Sequence, residues 1–133
     1  RFMDDANVPS LLAQTYLGYE GDPEVTANTR RFLLSEANPY YYEGSAASGI
    51  GSPHTPTSYI WHIALAVQGM TETDKEEKYR ILKLMADTDA GKGMMHEGFD
   101  KNDPSHYTRE WFSWANAMYS EMVLNYLGYE LAV

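Results

Sequence analysis

Three apolar helical stretches, beginning near residues 8, 57 and 109, each follow a long polar or glycine-rich segment, and this restricts the fold more than anything else in the chain. Those segments are Met3-Asp-Asp-Ala-Asn7, Tyr40 to Thr55, and Met94-Met-His-Glu-Gly-Phe-Asp100. Two further helices fall between the apolar ones, and the joints leading into them are short. Five helices are expected in all. The first runs from Val8 to Leu17, with Pro9 in its first turn, where a missing N–H does no harm, and Gly18 as its stop. The second opens on the cap Asp22-Pro23 and runs to Ala37 before Asn38-Pro39. The third covers Thr57–Met70, the fourth Asp74–Ala90 and the fifth Thr108–Leu127. No segment alternates with period two for long, so no strand is expected.

The helices differ in kind. The third, with Tyr59-Ile-Trp-His-Ile-Ala-Leu-Ala-Val67, is apolar nearly all round and reads as buried; the fifth, around Trp111-Phe-Ser-Trp-Ala115, reads the same way. The fourth is amphipathic, with charge on one side and Tyr79, Leu82 and Met85 on another, as suits an outer surface. Inner and outer helices that alternate at a spacing of about 50 residues, with long loops collected at one mouth, describe an unrolled α/α toroid. The expected fold is therefore all-α, with about five helices of a partial ring.

Composition narrows the function. The chain has 133 residues, of which 44% are hydrophobic and 14% aromatic, enough for one packed core. Lys and Arg total 10 against 19 Asp and Glu, a net charge of −9 that repels phosphate backbones and anionic lipid. Neither nucleic acid nor a membrane is an expected partner. There is no cysteine, which removes disulfides, thiolate metal sites and a cysteine nucleophile. The compartment stays open between cytoplasm and periplasm. The opening Arg1-Phe2-Met3-Asp4-Asp5 reads as the middle of something longer.

Tyrosine, tryptophan, aspartate, asparagine and histidine crowd the long segments, as suits a carbohydrate: aromatic rings stack on sugar C–H faces, and carboxylates and amides bind hydroxyls. Each candidate also has a plain structural role. Asp4 and Asp5 fit helix caps. His62 fits a hydrogen-bonded core histidine, and Trp61, Trp111 and Trp114 fit core positions. His96-Glu97 lacks the second histidine of a zinc-protease helix, so no metal or other cofactor is expected, although His54, His96 and His106 are available. Glu97 is the hardest to dismiss. It lies in a loop before a buried helix with Phe99 close by, where partial desolvation would raise its pKa toward the range useful for proton transfer.

Met3-Asp-Asp-Ala-Asn-Val-Pro-Ser10, Asn38-Pro-Tyr-Tyr-Tyr-Glu-Gly44, Gly49-Ile-Gly-Ser-Pro-His-Thr55, Tyr59-Ile-Trp-His-Ile-Ala-Leu-Ala66, His96-Glu97 and Thr108-Arg-Glu-Trp-Phe-Ser-Trp-Ala-Asn116 together closely resemble glycoside hydrolase family 125. The resemblance implies an (α/α)6 barrel and an exo-acting, inverting, metal-independent α-mannosidase that removes terminal α-1,6-linked mannose from a glycan or oligosaccharide. It implies that residues 1–133 are the C-terminal portion of that single catalytic domain. Glu97 matches the family's proposed general base, and the proposed general acid lies upstream of the chain, with Asp5 the alternative. Asp4, Asp5, Asn7, His54 and Trp114 would help line the mannose pocket. Two other readings stand beside this one: a remnant of the fold that binds mannose without cleaving it, and another toroid enzyme, an epimerase or a lyase.

Overall fold

The computed structural model describes residues 3–8 and 10–129. It contains four helices, α1 (Pro23–Leu33), α2 (His62–Met70), α3 (Lys75–Asp87) and α4 (Ser113–Tyr126). It also contains five short strands, β1 (Tyr41–Glu43), β2 (Ser48–Ile50), β3 (Tyr59–Trp61), β4 (Gly98–Asp100) and β5 (Tyr107–Thr108). None of the described helices is long and apolar enough to cross a membrane.

Capping chemistry explains where two helices begin. The Asp22 carboxylate accepts the Glu24 and Val25 N–H groups, and Pro23 follows it at the first helical position. Asp74 accepts the Glu76 N–H at the start of α3. The central helix α2 has no side-chain cap, because β3 runs straight into it through Trp61. All eight residues from His62 to Gly69 are buried, as the apolar sequence requires. The other end of α2 would leave its last carbonyls without partners. Arg30 of α1 donates to the Gln68 carbonyl at 2.8 Å, and Lys78 of α3 donates to those of Gly69 and Met70. Two cations thus serve the negative end of the helix dipole and tie α1 and α3 to α2. Burial pushes the Lys78 ammonium below its ordinary range, the cost of this placement.

The all-α expectation is overturned by two small antiparallel sheets. One is the β1–β2 hairpin, and the other has the order β3-β4-β5. A Gly51–Ile60 bridge joins the two sheets. The strands are two or three residues long, and alternation over so short a run leaves no periodic signal. The expected third and fifth helices each lose their N-terminal residues to a strand, β3 and β5. The first expected helix is absent: residues 12–18 form successive turns, with Ala13 N–H to Ser10, Gln14 to Leu11 and Leu17 to Ala13. The Leu11 and Leu12 N–H groups are held by the Asp4 carboxylate instead. Pro9 lies outside the described residues.

Packing corrects two further expectations. In α3, Ile81, Leu82 and Met85 are buried, whereas Tyr79 is exposed beside Tyr126. In α4 only Ala115, Met118 and Met122 are buried, so this helix covers α2 with one face and is not an all-round core helix.

Gly51 is fixed by backbone approach. A Cβ there would overlap the Tyr59 carbonyl oxygen, which cannot move without breaking the bridge to Ile60. Gly51→Ala should therefore destabilise the protein by about 1–3 kcal/mol, read as a lower urea midpoint. An unchanged midpoint would show that the junction between the sheets yields.

Candidate active site

The expected site residues fall into two clusters and one outlier. Asp5 Oδ1 accepts both the backbone N–H and the side-chain amide of Asn7, at 2.9 and 3.2 Å. The same Asn7 amide donates to Ser52 Oγ, and Ser52 Oγ also accepts the His54 N–H. The Ala6 N–H to Gly51 carbonyl bond holds the two segments of this cluster side by side. His54 itself is exposed. His54, distant in sequence, is thereby brought to Asp5 and Asn7.

The second cluster surrounds Glu97. The Glu97 N–H donates to the Thr108 carbonyl, and the register places Gly98 opposite Thr108. Glu97 and Arg109 therefore face each other across the two strands, and Arg109 Nε stands 3.3 Å from Glu97 Oε2. The Glu97 side chain is 16% exposed, so it is partly desolvated, as expected. The Arg109 guanidinium lies over the Phe112 ring at 5.7 Å, and Phe112 meets Trp114 edge to face at 6.2 Å. Trp111 and Trp114 are exposed, which corrects the expectation of core positions; Trp61 is buried as expected.

Trp61 links the clusters. Its indole N–H donates to Thr55 Oγ1, next to His54, and its ring lies against Gly98, next to Glu97. Asp4 is the outlier. Both its oxygens accept backbone N–H groups, from Leu11 and Leu12, and its own N–H and carbonyl are bonded by the Asn38 side chain. Burial raises the Asp4 pKa above the ordinary aspartate value, and these bonds partly offset that. Its capping role is the structural one that the sequence allowed.

Beneath Glu97 lies a buried histidine pair. The His96 N–H donates to His62 Nδ1 at 2.8 Å, which leaves the proton of a neutral His62 on Nε2, bonded to Thr88 Oγ1 at 2.9 Å. The Thr88 hydroxyl donates in turn to the Leu84 carbonyl. The His96 ring bridges the carbonyls of Glu110 and Asp89 and stacks on Tyr107 at 4.1 Å. His62 is therefore a satisfied core histidine, as expected. His96 serves as a tie between the segments that flank Glu97. Among the described residues, no group of three histidine or acidic side chains could hold a metal ion.

Arg109 and the His62–Thr88 bond were missed by sequence reasoning. The arginine stands inside a quoted motif, but only the pairing of β4 with β5 reveals that it faces Glu97. Two grooves, of about 410 and 640 Å³, open beside α1 and share Leu11, Tyr19, Gly21 and Thr26. Neither contains Glu97 or any other expected site residue.

Three similarities to known proteins bear on this arrangement. Residues 1–124 match the family described as metal-independent alpha-mannosidase, glycoside hydrolase family 125. The chain is 47% identical over 128 residues to the meiotically up-regulated gene 157 protein of Schizosaccharomyces pombe, matching 95% of this chain and 25% of that protein. It is 56% identical, with a TM-score of 0.94, to a Streptococcus pneumoniae metal-independent α-mannosidase solved in a non-productive complex with α-1,6-mannobiose. That match covers 96% of this chain and 30% of the bacterial one. The chain thus spans between a quarter and a third of the length of these relatives.

Burial pushes the His62 pKa from 6.5 down to about 3, with a smaller push from the neighbouring His96. Between those values the unfolded chain binds a proton that the folded protein refuses. The contribution of this group should thus cost stability as the pH falls from 6.5 toward 3, by about 1.4 kcal/mol per unit. His62→Asn keeps an acceptor for the His96 N–H but has no such proton. Urea midpoints of the variant, lower overall, should lose this part of the pH slope; parallel slopes would show that His62 is not the source.

Proposed function

Because the chain belongs to glycoside hydrolase family 125, the metal-independent α-mannosidases, we propose that it forms part of an exo-acting, inverting α-mannosidase specific for terminal α-1,6-linked mannose, with Glu97 as the general base. The observation that carries this reading is the family match along residues 1–124, inside which Glu97 is a partly desolvated carboxylate at the exposed end of a strand pair. The α-1,6-mannobiose bound by the bacterial relative supports the same substrate class.

In this mechanism Glu97 takes a proton from a water molecule as the water oxygen bonds to the anomeric carbon. The bond from that carbon to the leaving oxygen breaks, and a second carboxyl group protonates the leaving oxygen. The two carboxyl groups of an inverting enzyme stand roughly 6.5–9.5 Å apart to admit the water. We place the second one in the portion of the full-length enzyme that this chain does not match. Asp5, Asn7, His54 and Trp114 belong to the mannose pocket in this reading, with Asp4 supporting it by holding the turn at Leu11 and Leu12.

Two measurements test the proposal. In the full-length enzyme, Glu97→Gln should lower kcat by about 10²–10⁴-fold while KM for α-1,6-mannobiose changes little, the pattern of a lost transition-state role. A near-normal kcat would remove Glu97 from the mechanism. The 133-residue chain alone should hydrolyse no α-mannoside, since on this reading the acid lies outside it. Measurable turnover by the purified chain would place the acid within it.

A further inference from the structure

We propose that Arg109 is a positioning residue for Glu97, holding one carboxylate oxygen so that the other is presented to the attacking water. The inference rests on reading Glu97 as the general base. Arg109 stands across from Glu97 in the β4–β5 register, with Nε 3.3 Å from Oε2, and is the partner of that carboxylate among the described residues. One oxygen of a general base must keep a lone pair for the proton of water, and a one-sided ion pair provides that.

The backbone gives an independent reason. Arg109 has φ +52°, in the left-handed region that a residue with a side chain enters at a cost. Glycine would occupy this position without strain. The Arg109 side chain is 66% exposed, and an ion pair of that kind contributes little to stability. A strained arginine that adds little to stability is accounted for by what its guanidinium does. That guanidinium is steadied from the other side by the Phe112 ring, and the Phe112 N–H is bonded to the Met95 carbonyl, on the segment that leads into Glu97. Arg109 is thus braced by the same segment whose carboxylate it holds.

The test uses Arg109→Gly and Arg109→Lys in the full-length enzyme, with α-1,6-mannobiose as substrate. Arg109→Gly relieves the strain, so its melting temperature should equal or exceed that of the parent. Its kcat should nevertheless fall by about 10²-fold, the effect of a loosened reacting group, with KM within about 2-fold. Millimolar free guanidinium should restore part of that kcat. Arg109→Lys keeps a charge but loses the planar fork and should fall between the two. In a Glu97→Gln background, Arg109→Gly should cost nothing more, because its partner is already disabled. Normal kcat in Arg109→Gly, or the same loss repeated in the Glu97→Gln background, would overturn the proposal. So would a rise in KM alone, which would make Arg109 a direct sugar contact. If Glu97→Gln is itself fully active, the reading of Glu97 fails first; if it is inactive while Arg109→Gly is normal, only the role of Arg109 fails.

Discussion

A helix buried on every side has to satisfy each polar group it brings inside, and α2 imposes that demand on the rest of the fold. His62 is its one imidazole, and it is satisfied at both nitrogens, by the His96 N–H and by Thr88. The carbonyls at its end are met by Arg30 and Lys78. No buried side-chain nitrogen or oxygen among the described residues lacks a partner. An unmet group there would cost about 1–3 kcal/mol, a large share of the stability of a domain of this size. The bonds that satisfy α2 therefore dictate where α1, α3 and the segment before β4 must lie.

This constraint reaches the candidate site. The bond that satisfies His62 comes from the residue before Glu97, and the His96 ring then ties Asp89 to Glu110. Core and site are joined by one residue step. The backbone of Glu97 is held by the core while its side chain stands at the partly exposed edge of the sheet. A side chain mounted on a rigid element in this way keeps its geometry without losing access to solvent.

What the sequence revealed follows from the length scale of each signal. α1 and α3 were legible from their caps, Asp22-Pro23 and Asp74, and α2 from a long apolar run. The first expected helix failed because Asp4 took the N–H groups of Leu11 and Leu12, a contact that no periodicity announces. The strands failed because each is at most three residues long, and β3 is held by a partner far off in sequence, Tyr59 by Asp100. The buried face of α4 was overread, since Trp114 and Leu124 are apolar yet exposed. Asp4, Asp5, Asn7, His54, Trp114 and Glu97 were picked out as site candidates through the motifs that resemble the family. Arg109 was passed over because its meaning lies in a register and a backbone angle.

The carboxylates at the site also bear on how much of an enzyme a chain like this can supply. A general acid has to offer a proton, so its oxygens cannot all be engaged as acceptors. Both oxygens of Asp4 accept backbone N–H groups, and removing them would release the turn at Leu11 and Leu12. Asp5 Oδ1 accepts twice from Asn7, and through Asn7 it orders Ser52 and the His54 backbone. Asp4 is therefore fully occupied in building the wall of the site, whereas Asp5 is engaged through one oxygen. Glu97 differs: its one partner among the described residues is the Arg109 cation, 3.3 Å from a single oxygen. On the proposed reading, Glu97 as the base keeps one oxygen for water, while Asp4 gives both of its own to the wall.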